Sequence, residues 1–188
     1  MIKIEIYTLG HSNYSFDKFI EILKKYNINC VVDIRAVPYS KYNTQYNKEF
    51  FQANLKKLGY TYIYMADEFG AKRRTRNSYN DEGYADFDKV ILEEDFKKGI
   101  ERLKVGCAKN YKIVLLGAMQ EPIRCPRAIL LGRELIKEGF NVKHIMHEGD
   151  LKVQSELEEQ LLEKYFEDRN QLTIDSLLGN AISREDMI

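Results

Sequence analysis

No charge of either sign predominates in this sequence: 29 lysines and arginines are balanced by 29 aspartates and glutamates. A protein that coats nucleic acid through general cationic attraction is thereby disfavoured, although a local basic patch stays open. Cysteine is scarce and odd in number, at Cys30, Cys107 and Cys125. That excludes a disulfide framework, and the three read as reduced thiols of a cytoplasmic protein. No apolar run approaches the roughly 18 residues that a membrane span requires. The opening MIKIEIYTLGHS lacks the basic-then-apolar order of a secretory signal. Repeats and low-complexity segments are missing, and so are a GxGxxG fingerprint and a complete catalytic triad, and the cofactor stays unknown. His147, Glu148 and Asp150 come nearest to a metal set but match no standard spacing, and no metal is expected.

What is present is an apolar pattern that alternates between two periods. Hydrophobic residues make up 44% of the 188, enough for a substantial core. Short β-branched or aromatic runs occur at 2–9, 30–36, 60–66, 112–118 and 141–147. Helical stripes lie between and after them: Phe16, Phe19, Ile20, Ile22 and Leu23 behind an N-cap at Ser15, then Phe50, Phe51, Leu55 and Leu58 closed by Gly59. Phe96, Ile100 and Leu103 make a third stripe. Ile129, Leu130, Leu131, Leu135 and Ile136, closed by Gly139, make a fourth. Leu157, Leu161, Leu162, Tyr165 and Phe166 make a fifth. Strand and helix in alternation predict an α/β domain over residues 1–166. Its architecture is a five-stranded, mostly parallel sheet with helices on both faces, a Rossmann-like three-layer sandwich. The expected strand order is 3-2-1-4-5, with the flavodoxin-like 2-1-3-4-5 as the alternative. Residues 167–188 form an extension whose Leu172, Ile174, Leu177 and Leu178 suit a docked short helix. The polar stretch 67–86 is long for a connection, which points to a functional or mobile segment.

Ligands of open parallel sheets bind beyond the C-terminal ends of the strands. That rule selects five loops: Gly10-His11-Ser12 after strand one, Asp33-Ile34-Arg35 after strand two, Gly70 with Lys72-Arg73-Arg74 after strand three, QEPIRCPR (120–127) after strand four, and His147, Glu148 and Asp150 after strand five. In the loop after strand four, Pro126 suits the first helical position, which places Cys125 near an N-cap with free N–H groups and Arg124 and Arg127 beside it. Such a loop suits an anion. Cys125 is then a candidate nucleophile or a small packed residue. His11 is a candidate acid–base group, a phosphate contact or a hydrogen-bonded loop histidine. Asp33 and Arg35 lie two apart on a strand and point to one side, so they either serve a ligand or pair with each other. His144 alternates with apolar neighbours and reads as structural.

The motifs TLGHSNYSFDKFIEIL, VVDIRAVPYSKYNTQYN, LGYTYIYMADEFGAKRR, GYADF and CPRAILLGRELIKEGFNVKHI together resemble the domain-of-unknown-function 488 family, over roughly residues 7–146. In that pattern the loop after strand four carries a cysteine, an acidic residue and then Cys-His-Arg. Here Gly117 stands at the first cysteine and Cys125-Pro126-Arg127 at Cys-His-Arg. Tyr39 and Tyr42 occupy positions often taken by arginine. The resemblance implies an α/β protein with its shared polar residues in one cleft, and it names no substrate.

Two readings follow. In one, the chain is an enzyme acting on a phosphorylated or nucleotide-like substrate. His11 and Cys125 are then catalytic, and Ser12, Asp33, Arg35, Lys72, Arg73, Glu121 and Arg127 bind the anion. In the other, it binds nucleic acid or a nucleobase without catalysis, through the basic loop 72–76 interleaved with Tyr79 and Tyr84.

Overall fold

A computed structural model describes residues 4–165 except 82, 84, 126 and 148. Pro126, Glu148, Tyr84, Phe166 and the extension 167–188 therefore lie outside the described residues. Strands β1 (Ile4–Gly10), β2 (Cys30–Asp33), β3 (Thr61–Tyr64), β4 (Ile113–Gly117), β5 (Phe140–Ile145) and β6 (Leu151–Val153) build one sheet. The helices are α1 (Phe16–Lys25), α2 (Lys48–Lys57), α3 (Ala66–Phe69), α4 (Phe87–Val90), α5 (Glu94–Ala108), α6 (Arg133–Lys137) and α7 (Gln154–Tyr165). A π-helical segment, Arg127–Gly132, runs directly into α6.

The local signals act where they stand. The Ser15 hydroxyl accepts from the Lys18 N–H and caps α1, whose Phe19, Ile20, Ile22 and Leu23 are buried. After α2 and α6 the chain turns at Gly59 and Gly139, with φ of 83° and 89°, a conformation that costs glycine nothing. Side chains alternate across the sheet and feed two apolar layers. Tyr7, Leu9, Val31, Val114, Leu116 and Ile145 meet Phe19, Leu23, Phe51 and Leu55 of α1 and α2. Ile6, Val32, Leu115 and Val142 meet Phe96, Ile100 and Leu103 of α5 and Leu131 and Leu135 on the opposite face. Fully burying one such Phe or Leu side chain contributes roughly 1.5–3 kcal/mol.

The α/β architecture with helices on both faces is as the periodicity predicts, but the strand order is not. The sheet runs β3-β2-β4-β1-β5-β6, with β6 antiparallel to β5 and every other pair parallel. Among the described residues it therefore has six strands, and β4 rather than β1 adjoins β2. The two exchanged strands differ in burial. All five residues of β4 are buried, whereas β1 starts with a half-buried and an exposed residue. Both are interior strands, β4 between β2 and β1 and β1 between β4 and β5, where apolar runs are covered on both faces. The winding is self-consistent: strands one to three progress toward one edge with α1 and α2 on one face. Strands three to five return with α5 and α6 on the other, as crossovers of constant hand require.

The stretch 67–86 folds over α5. Its anchor is Arg73, buried and bound to the Glu93 carboxylate (Nε to Oε2 3.1 Å), with Nη1 donating to the carbonyls of Glu68 (3.2 Å) and Gly70 (3.0 Å). Among the described residues, no helix is long and apolar enough to cross a membrane.

Candidate functional site

The ends of β1 and β4 lie side by side. The His11 N–H donates to the Gly117 carbonyl (3.0 Å) and the Ser12 N–H to that of Ala118 (2.9 Å), so the two loops meet as expected even though the order differs. Ser12 takes a left-handed φ of 47°, uncommon for a residue with a side chain. Its hydroxyl reaches the Gln120 Oε1 at 3.5 Å.

On the far side of β4, Asp33 and Arg35 close a buried ion pair. Arg35 donates from Nε to Oδ1 (2.9 Å) and from Nη2 to Oδ2 (2.6 Å). The Arg35 N–H and the Tyr62 hydroxyl add 3.1 Å and 2.7 Å bonds to the same carboxylate. Arg35 also donates from Nη2 to the Tyr46 carbonyl (2.9 Å) and from Nη1 to the His11 Nε2 (3.2 Å). The guanidinium is thus held by a fork-to-fork pair, the strongest geometry available to it. Of the two roles the spacing allowed, mutual pairing is the one the side chains adopt.

His11 is buried and stacked on the Tyr46 ring at 4.1 Å. Its Nδ1 lies 2.8 Å from the Ser12 carbonyl, an acceptor only, so Nδ1 carries the proton and Nε2 accepts from Arg35. Burial, and then the Arg35 charge, bring its pKa down to about 4. The ring is neutral near pH 7 with both nitrogens engaged.

Arg127 enters from the start of the π-helical segment and is wholly buried. Its Nη1 and Nη2 donate to the Met119 carbonyl (2.5 Å) and the Gln120 carbonyl (2.9 Å). Glycine is required above it. A Cβ at Gly10 would lie 1.6 Å from the Met119 carbonyl oxygen, which itself accepts from Arg127, and 2.9 Å from Nη1. One at Gly117 would lie 2.8 Å from Nη1 and 3.2 Å from the Cys125 Sγ. Among the described residues no carboxylate pairs with Arg127, and Nε has no hydrogen-bond partner. Burial lowers its pKa, while the Cys125 sulfur beside it pulls the other way. Cys125 itself is half-buried, between the turn Pro122–Arg124 and the π segment. The chain here is not a long α-helix: π turns span Arg127–Gly132, and α6 adds only five residues. The Ala128 N–H already donates to the Cys125 carbonyl (3.1 Å). Turns of this wide kind recur at functional sites.

The structure therefore brings His11, Ser12, Cys125 and Arg127 to the ends of β1 and β4, with Asp33 and Arg35 next to them across β4. It does not bring Arg73, whose partners all lie in α3, the loop after it and Glu93. Lys72 is exposed on that loop, and Glu121 is exposed and carries interactions of its own. Tyr46 and Tyr62, which complete the Asp33–Arg35–His11 unit, escaped the sequence reading. Tyr62 looks like any strand tyrosine, and only its position in the β2–β3 register, beside Val31, carries it to Asp33. Behind the site, buried His144 takes a 2.8 Å bond from the Thr8 hydroxyl and gives one of 2.8 Å to the Gln154 Oε1. The Gln154 amide then donates to the Ala128 carbonyl (2.9 Å). The structural reading of His144 fits that chain of bonds, which ties α7 to the residue next to Arg127. Among the described residues, no group of three or more His, Cys, Asp or Glu side chains could hold a metal ion.

The family model described as "Domain of unknown function DUF488" matches residues 15–133. That span holds Asp33, Arg35, Cys125 and Arg127 and begins just after His11. No curated protein and no solved structure matches the chain. With well over half of its length matched, from α1 to the start of α6, the chain belongs to the DUF488 family.

Proposed function

We propose that the ends of β1 and β4 form a binding site for a small anion, and that the chain is an enzyme acting on a phosphorylated or nucleotide-like substrate there. One observation carries the reading. Arg127 is a wholly buried cation with an unpartnered Nε and, among the described residues, no carboxylate. Burying an uncompensated charge is costly, and proteins offset it with a counter-ion or a ligand. Of the buried arginines among the described residues, Arg35 and Arg73 have their carboxylates, which leaves Arg127 for a ligand. The Ser12 and Gln120 side chains add polar groups, and the half-buried Cys125 sulfur beside Arg127 is the candidate nucleophile. The nucleic-acid reading has less support: in the loop 72–76, Arg73 is consumed by Glu93, and Arg74 pairs with Asp67.

Isothermal titration with inorganic phosphate and mononucleotides, paired with thermal melts, tests the site. Wild type should bind phosphate and melt higher in its presence. Arg127→Lys should bind roughly 10- to 100-fold more weakly, the size of a lost charge-assisted hydrogen bond. No heat and no shift of melting temperature with any anion would refute the site.

A further inference from the structure

The three thiols stand in unlike surroundings. Cys30 is wholly buried in β2, and Cys107, half-buried like Cys125, is packed against the same apolar cluster with no cation beside it among the described residues. Burial raises both pKa values, that of Cys30 to about 12, so these two stay protonated and inert. Cys125 is partly open to solvent, and its sulfur meets the Arg127 guanidinium over the end of β4, both within 3.2 Å of the place a Gly117 Cβ would occupy. The unpartnered Nε of the wholly buried Arg127 is an independent sign that this spot accepts negative charge.

We propose that Cys125 is a site of reversible oxidation by hydroperoxides, and that the oxidised sulfur then takes the place of the anion at Arg127. The second half rests on the anion site proposed above; the first does not. The sulfur attacks the terminal oxygen of the hydroperoxide, an S–O bond forms and the O–O bond breaks. The thiol proton leaves with the departing oxygen, so thiol and hydroperoxide become sulfenic acid and alcohol, or water when the oxidant is hydrogen peroxide. Sulfur gives up two electrons and the peroxide takes them. The guanidinium faces the charge that develops on the departing oxygen and then the sulfenyl oxygen. Cys30 and Cys107 pack within the apolar cluster that α5 covers, so a small thiol from solution completes the return. It condenses with the sulfenic acid to a mixed disulfide with loss of water, and a second thiol releases Cys125.

Native protein treated with one equivalent of hydrogen peroxide in the presence of dimedone, then mapped by mass spectrometry, decides the first half. Cys125 should be trapped at least about tenfold faster than Cys107, with Cys30 unlabelled. Equal trapping of Cys125 and Cys107 overturns the proposal. Arg127→Lys, checked for folding by its melt, should slow trapping at Cys125 and leave Cys107 unchanged. If that variant does not fold, the ratio within the wild type still decides. For the second half, saturating phosphate should slow trapping, and oxidised protein should lose phosphate binding until dithiothreitol restores it. Selective trapping without any phosphate binding would sink the anion site and leave the oxidation standing. Phosphate binding with unselective trapping would do the reverse.

Discussion

Acidification from pH 8 to pH 5 should cost the fold about 4 kcal/mol through two histidines alone. His11 and His144 are both buried, and each has a folded pKa of about 4 against an ordinary value of 6.5. For His11 the causes are burial and then Arg35. For His144 burial dominates, opposed by its hydrogen bond to Gln154. A depressed histidine pKa means that the unfolded chain binds the proton first. The stabilisation is complete above about pH 6.5 and is lost as pH falls toward 4. At pH 5 an unfolded histidine is almost fully protonated and a folded one hardly at all, a difference of about 2 kcal/mol per site. The assay is urea unfolding of wild type, His11→Asn and His144→Gln between pH 8 and pH 5. Both variants start less stable, because each loses buried hydrogen bonds, but the quantity compared is the slope against pH. Wild type should take up about two more protons on unfolding than a protein lacking both histidines, and each single variant about one more. Shared carboxylate effects cancel in that comparison. If the single variants lose stability on acidification as steeply as wild type, the two rings are not held neutral by burial, and the hydrogen-bond assignments at His11 fall with that conclusion.

Two further outcomes follow from the same geometry. Arg35→Ala should destabilise the protein by roughly 3–5 kcal/mol in denaturant titrations, because it leaves the Asp33 carboxylate buried without its cation; a loss below about 1 kcal/mol would mean that the pair does not hold the β2 end. Gln154→Ala orphans the Ala128 carbonyl and the His144 Nε2–H, at roughly 1–3 kcal/mol for each. It should also speed amide exchange in β5 and the π-helical segment, and unchanged exchange there would show that α7 does not brace Arg127.

Local features of this chain were legible because they are properties of single segments. The Ser15 cap, the glycine turns at Gly59 and Gly139, and the buried faces of α1 and α5 each depend on residues a few positions apart. The ends of strands one and four were correctly brought together, with His11 and Gly117 joined by a hydrogen bond. The pairing of Asp33 with Arg35, two residues apart, stood among the alternatives. Strand order, by contrast, is set by competition among all the strands for the best-covered position. β4 rather than β1 takes the place beside β2, and both remain interior strands. The edge strand β6 is three residues long, too short for a period to show, and forms only because β5 lies beside it. Charge partners obey the same logic. Arg73 looked free in a run of basic residues, yet Glu93, twenty positions later, neutralises it, while Arg127 sits beneath two glycines that leave room for it. Sequence determines which segments can form and which faces they must bury; which cation is left without a carboxylate is decided only when the chain is folded, because Coulombic and packing contacts depend on distance in space and not along the chain.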